Sequence, residues 1–173
     1  LETMLLGPRI RMLADTLVAV TGGNLQPHRN KQPIEMWRGH TFKEDDILSF
    51  KTPVSGFRAY IAVGGGIDVQ PVMGSRSTSL PSGFGGYQGR PVQKGDILSA
   101  DLSGDSISAV GRTFNPDWIP VYPKKWPLRV IWGPQDDHFP AAGRKLFLDA
   151  SYKMSSESDR TGIRLQGPAI DRH

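Results

Sequence analysis

Turn-forming residues recur so closely along this chain that no apolar run between them outlasts a short strand. The runs at residues 9–12, 17–21, 47–50, 58–63, 97–101, 128–132, 152–155 and 162–166 are each bounded by Gly, Pro, Asn, Asp or another polar turn residue. Within Leu128-Arg129-Val130-Ile131-Trp132, the side chains of Leu128, Val130 and Trp132 share one face, as period-two alternation requires. Likewise Ile163 and Leu165 share a face opposite Arg164 and Gln166. Only one segment reads as a helix. Phe139-Pro140 starts it, with Pro near the first turn, and Ala141, Ala142, Leu146, Phe147 and Leu148 follow. The 20 glycines and 14 prolines suit many strands joined by tight turns, while 38% apolar residues still allow a core. The expected fold is mainly β with a few short helices.

The same runs exclude several function classes. The longest, Leu17-Val18-Ala19-Val20 and Tyr60-Ile61-Ala62-Val63, fall far short of the roughly 20 residues that cross a bilayer, and no signal peptide is visible, so no membrane partner is expected. Zero cysteines rule out a disulfide framework, a thiolate metal site and a Cys nucleophile, and the cytoplasm is the expected compartment. The 21 Lys and Arg that give a net charge of +4 are scattered among 17 Asp and Glu. A nucleic-acid footprint needs clustered charge, so no nucleic-acid partner is expected; a small anionic ligand suits the same balance.

Asp46-Ile47-Leu48-Ser49 recurs as Asp96-Ile97-Leu98-Ser99, each time after a polar turn. A turn feeding a strand into a barrel produces such an echo locally, without duplication. The proline-rich stretch from Asn115-Pro116-Asp117 to Trp126-Pro127 reads as extended linker. It divides a Gly-rich β-barrel subdomain, residues 1–122, from the start of a second β subdomain, residues 123–173. Leu1-Glu2-Thr3-Met4-Leu5-Leu6 is already strand-like, and Arg164-Leu165-Gln166-Gly167-Pro168 stops just after a strand. The chain is therefore expected to be a fragment of a larger domain, truncated at both ends.

Three segments carry the candidate chemistry. From Gly64 to Arg90, glycines interleave with Ser75, Ser77, Thr78, Gln88 and two arginines, Arg76 and Arg90. Glycines let backbone N–H groups approach a ligand, and guanidinium forks donate in pairs to carboxylate or phosphate. The alternative is a run of tight turns in which glycine serves only positive φ. No Gly-Lys-Ser/Thr ending follows, so it is not a P-loop. In Gly133-Pro134-Gln135-Asp136-Asp137-His138-Phe139, an Asp is either a ligand-binding or general-base group or the cap of the following helix. The other histidines, His28, His40 and His173, show no ligand spacing, so no metal is expected. In the third segment, 155–165, Arg160 pairs with Asp159 in a structural turn, or Arg160 or Arg164 faces a cleft. A Ser-His-Asp hydrolase is disfavoured because no Gly-x-Ser-x-Gly elbow exists.

Four blocks together resemble the allophanate hydrolase subunit 2 family. They are 65–78 with Gly65-Gly66-Ile67-Asp68-Val69 and Gly74-Ser75-Arg76-Ser77-Thr78, then Gly85-Gly86-Tyr87-Gln88-Gly89-Arg90, then Gly133 to Phe139, and finally Ser158 to Gly167. That family is also described as the C subunit of 5-oxoprolinase, the biotin-dependent carboxyltransferase-like protein and the antagonist of a sporulation kinase inhibitor. The resemblance implies cyclophilin-like β-barrels and a subunit 1 homologue as partner in a hetero-oligomer. Three functions compete within it. The first and favoured is ATP-dependent opening of 5-oxoproline to glutamate, with ATP bound together with partner subunits and this chain inactive alone. The second is transfer of a carboxyl group to urea from biotin carried on a partner chain; no biotin-lysine motif or ATP-grasp module is visible here. The third is a non-catalytic regulator that binds its partner.

Both enzymatic readings take a small amide, lactam or ureido substrate, whose oxygen gains negative charge as a bond to nitrogen rearranges. Preorganised N–H donors stabilise that charge. The expected catalytic residues are Arg76, Gln135, Asp136 and Arg160, with Ser75, Ser77, Gln88, Gly89, Arg90 and Arg164 binding substrate. Ser75, Arg76, Gln88, Arg90, Gln135, Asp136 and Arg160 are expected to line one cleft, because no single segment supplies guanidinium donors, close backbone and a proton-orienting group.

Overall fold

The structure, a computed structural model, describes residues 1–101, 109–123, 128–159 and 162–172. It is mainly β, with its regular strands all paired antiparallel. The chain divides into two compact units, Leu1–Lys124 and Lys125–His173.

In the first unit the long strands β3 (Thr16–Asn24) and β8 (Ser55–Val63) pair at the centre of a four-stranded sheet, flanked by β1 (Glu2–Met4) and β6 (His40–Phe42) in the order β1-β8-β3-β6. Alternation sets the buried face: Val18 and Val20 on β3, and Ala59 and Ile61 on β8, are buried. Register shifts between Gly22 and Asn24. Gly22 sits at φ +83°, and a Cβ there would lie 2.7 Å from the Arg58 carbonyl oxygen, so this irregularity needs glycine.

A second sheet, in the order β2-β7-β4-β5, consists of β2 (Ile10–Arg11), β7 (Ile47–Ser49), β4 (His28–Arg29) and β5 (Gln32–Pro33). Met12, Leu25, Phe42 and Leu48 complete the core cluster with the sheet residues named above. His28 is buried too, with Nδ1 2.7 Å from the Gln26 carbonyl. The expected strands at 9–12, 17–21, 47–50 and 58–63 contain or overlap β2, β3, β7 and β8. Strands β4, β5 and β6 are not anticipated by sequence, being two or three residues long and lacking alternation.

The expected strand at 97–101 is not formed: it contributes one isolated bridge, Ile67 with Ala100. Its partner is the short stretch around Ile67, just after the glycine turn, where only the Asp68 N–H to Ser99 O and the Asp101 N–H to Gly66 O bonds flank the bridge. The Asp-Ile-Leu-Ser echo nonetheless has a structural basis. In both copies the aspartate Oδ2 accepts a backbone N–H three residues earlier, Lys43 N–H to Asp46 at 2.8 Å and Gln93 N–H to Asp96 at 2.7 Å. Positive φ falls one residue before each aspartate, at Asp45 and Gly95. The turn repeats; the strand after it does not.

The second unit holds the expected helix, α1 (Ala141–Asp149), and a hairpin of β9 (Lys153–Met154) with β10 (Leu165–Gln166). Phe147 on α1 packs against Trp132 and Tyr152, with ring centroids 5.9 and 5.7 Å apart. The expected strand at 128–132 is corrected: it pairs with no strand among the described residues, and Leu128 and Ile131 are 81% and 98% exposed. Alternation alone cannot hold a strand without a ladder partner. In the proline-rich stretch, Pro116–Trp118 forms a 3-10 turn capped by Asn115, whose Oδ1 accepts the Asp117 N–H at 3.0 Å.

Candidate functional site

The Gly-rich segment is a loop of the first unit that leaves the end of β8 and closes on itself. At its base the Asp68 N–H donates to Ser99 O at 2.9 Å and the Asp101 N–H to Gly66 O at 3.2 Å, around the Ile67–Ala100 bridge. Within it, the N–H groups of Ser79, Gly83 and Gly89 donate to Phe84 O, Ser79 O and Gly85 O at 2.9, 2.8 and 3.0 Å. Gly89 adopts φ +68°, and a Cβ there would lie 2.1 Å from the Gly83 carbonyl oxygen. Tight turns therefore account for much of the glycine content, and several backbone donors are spent inside the loop.

The two arginines of this loop stand in opposite states. Arg90 is spent: Nη1 donates to Asp96 Oδ2 and Pro91 O at 2.7 and 2.9 Å, while Nη2 donates to Asp96 Oδ1 and Gln88 Oε1 at 2.8 and 2.9 Å. Its guanidinium also lies over the Tyr87 ring, 5.3 Å from the centroid. Two parallel charge-assisted hydrogen bonds make a strong, directional pair. Hydrogen bonds from Arg90 and the Gln93 N–H hold the Asp96 carboxyl down from 3.8 to about 2. The fork that sequence alone offers to a ligand is thus occupied within the loop.

Arg76 is tethered once, by Nε to Val69 O at 3.1 Å. Its two terminal nitrogens have no hydrogen-bond or ion-pair partner among the described residues, and the side chain is exposed beside exposed Ser75 and Ser77. Ser75 Oγ accepts the Ser77 N–H at 3.1 Å. Gln88 is exposed, with φ +56°, a conformation uncommon outside glycine.

In the second unit Gln135 precedes a 3-10 turn, Asp136–His138, and makes no side-chain capping bond. Helix α1 is capped by Pro140 without a side-chain hydrogen bond, so neither aspartate is its N-cap. Asp136 instead accepts from Arg144 Nη1 on α1 at 3.1 Å, both side chains being partly exposed. Arg164 pairs with Glu157 at 2.8 Å on the surface. Asp159 Oδ1 accepts the Gly162 N–H at 3.0 Å, and Arg160 lies outside the described residues. No group of acidic or His residues suited to a metal occurs among the described residues.

Sequence reasoning missed Asp96, Tyr87, Arg144 and Glu157, all of them partners of residues it did name. For Asp96 a signal existed in its echo of Asp46, which marks the same turn. An open groove of about 330 Å³, lined by Pro53, Val54, Ser55, Gly56, Tyr122 and Pro123, includes none of the named site residues and no acidic or basic side chain.

The family described as carboxyltransferase domain, subdomain A and B, matches residues 1–173. The chain is 33% identical to a urea amidolyase of Lachancea kluyveri, over 97% of this chain and 10% of that protein. It is 36% identical to the C subunit of 5-oxoprolinase from Escherichia coli strain K12, over 91% of this chain and 49% of that protein. The solved Kluyveromyces lactis urea carboxylase superposes with a TM-score of 0.83 at 31% identity, covering 99% of this chain and 16% of that one. The chain thus spans about a tenth of the amidolyase and about half of the oxoprolinase subunit. No described helix is long and apolar enough to cross a membrane. With the match running through every residue, the chain belongs to the carboxyltransferase domain family, subdomains A and B.

Proposed function

We propose that this chain is part of a subunit of an amide-processing enzyme of the 5-oxoprolinase type, working in the cytoplasm with a subunit 1 homologue in a hetero-oligomer. The observation that carries the reading is the similarity to the C subunit of 5-oxoprolinase along most of this chain. The loop chemistry accords with it. Opening a lactam moves negative charge onto the carbonyl oxygen, and Arg76, whose two terminal nitrogens have no ion pair among the described residues, can donate there. Ser75, Ser77 and Gln88 stand with it as substrate-contacting groups; Gly89 and Arg90 set the loop's shape. In the second unit Gln135 and Asp136 are proposed as ligand-facing groups, Asp136 held by Arg144, with Arg164 and Arg160 on the segment that follows.

The loop does not fit a nucleotide-phosphate cradle. The N–H groups of Ser79, Gly83 and Gly89 already donate within it, and it runs into the Asp96 turn rather than a helix N-terminus. ATP is therefore assigned to companion subunits, and no step is routed through it here. A second reading, carboxyl transfer to urea from biotin carried on another chain, is supported by the superposition on urea carboxylase. The same Arg76 donors would meet a ureido oxygen.

Reconstituting the full-length protein with its companion subunits separates the readings. Turnover of 5-oxoproline with ATP hydrolysis is expected, and none from this chain alone. Transfer of the carboxyl group from carboxybiotin to urea, giving allophanate and free biotin, would move the assignment to the second reading, and turnover of neither substrate would favour a regulator. Arg76→Lys keeps charge but loses the planar fork. Turnover should fall on the order of 100-fold with an unchanged melting temperature; a lowered melting temperature with normal specific activity would make Arg76 structural.

A further inference from the structure

The partners of Gln88 decide which end of its amide is available. Arginine carries donors and no acceptor, so the Gln88 atom facing Arg90 Nη2 at 2.9 Å must be its oxygen. The amide nitrogen, with two N–H donors, then points away from the guanidinium and has no hydrogen-bond partner among the described residues. Arg90 cannot swing to release it, because Asp96 grips both terminal nitrogens and Pro91 O takes a further N–H. Asp96 is itself fixed by the Gln93 N–H. The backbone adds a constraint: Gln88 holds φ +56° between Tyr87, which packs on Arg90, and Gly89, whose N–H is tied to Gly85 O.

We propose that Asp96, Arg90 and Gln88 form a positioning relay that holds the Gln88 oxygen on Arg90 and turns its NH₂ outward, so that this loop favours ligands with a planar carbonyl or carboxylate oxygen. Asp96 and Arg90 are positioning residues, and Gln88 is the group that touches ligand. A freely rotating glutamine presents either end of its amide; this one keeps its oxygen on Arg90 and presents its NH₂ as the outward, donating end. Lactam, ureido and carboxylate oxygens all satisfy it, whereas a donor-only cation does not. The inference rests on the amide-processing reading for its choice of probes, and its geometry stands apart from turnover.

The test uses the full-length protein labelled with ¹⁵N, with the Gln88 side-chain NH₂ signals assigned by their loss in Gln88→Glu. 5-Oxoproline or urea should shift these signals, and guanidinium at equal concentration should not. Asp96→Asn should weaken the shift, and Asp96→Glu should restore part of it. In the assembled enzyme Gln88→Glu, which replaces the donor by an acceptor, should raise KM roughly 10- to 100-fold, with kcat less affected and the melting temperature unchanged. Signals that stay fixed with both amides, or that respond equally to guanidinium, overturn the relay. If they stay fixed while the complex turns over 5-oxoproline, the relay fails and the proposed function survives. If they move while neither substrate is turned over, the relay stands and the proposed function fails.

Discussion

Residues 1–63 and the loop that follows, 64–101, belong to one unit, yet they are held together by different forces. Every buried apolar side chain among the described residues lies between Met12 and Ile61, where paired strands press Val18, Val20, Phe42 and Leu48 into one cluster. The loop buries none. Its shape comes from turn hydrogen bonds, left-handed glycines and one bidentate ion pair, Arg90 with Asp96. The Asp-Ile-Leu-Ser string, present in both, isolates the cause. Leu48 is fully buried and β7 forms around it, whereas its counterpart Leu98 is only partly buried, the neighbouring Ile97 is 67% exposed, and the backbone there makes a single bridge. A turn is written locally; a strand needs a buried face and a partner. That division leaves the loop's polar groups outside the core, where an arginine can remain unspent.

The largest way to break this contrast is in the core. Phe42 is fully buried, so Phe42→Ala should cost about 3–5 kcal/mol in urea denaturation. A loss below about 1 kcal/mol would mean that the two sheets do not share a packed interior. The loop should respond to backbone rather than to volume. Gly89→Ala imposes on a left-handed residue a Cβ that would lie 2.1 Å from the Gly83 carbonyl oxygen, at a cost of about 1–3 kcal/mol or more. Hydrogen exchange should show this loosening at Ser79 and Gly83 while the amides of β3 and β8 keep their protection. Equal loss of protection in both regions would erase the distinction.

The sequence was legible where local chemistry decides. The long central strands, the turn before each Asp-Ile-Leu-Ser and the helix after Pro140 follow from alternation, turn residues and proline placement. It was illegible where a distant partner decides. The run at 128–132 has strand periodicity but no ladder, and β4 and β5 form because His28 and Arg29 reach both β7 and a second short strand. The candidate site divides the same way. Arg76, Gln88 and Arg90 are visible as chemistry, but which arginine is spent depends on Asp96, whose pairing with Arg90 no spacing rule announces. Asp136 likewise reads as a ligand-binding or general-base group or as a cap, and its ion pair with Arg144, on the helix that follows, is announced by neither reading.

The smallest effect expected is also the most specific to the loop. Asp96 is held at about 2, first by its hydrogen bonds from Arg90 and then by the Gln93 N–H. A carboxyl depressed in the folded state contributes stability that is fully present above its ordinary value of 3.8 and is lost as pH falls through about 2. Its twin Asp46 is lowered in the same direction, led by the Lys43 N–H, with Arg29 only at 4.0 Å. Acidification from pH 5 to 3 should therefore leave the Arg90 latch closed, and the Gln88 side-chain signals should move only below pH 3. In Asp96→Asn that late movement should vanish, because the amide has no proton to take up and only one acceptor to offer the fork. Signals that titrate near 3.8 in the native protein would show that Arg90 and Asp96 do not hold each other in solution. Arg90 would then return beside Arg76 as a free donor, and the contrast between a spent and an unspent arginine would fall with the latch.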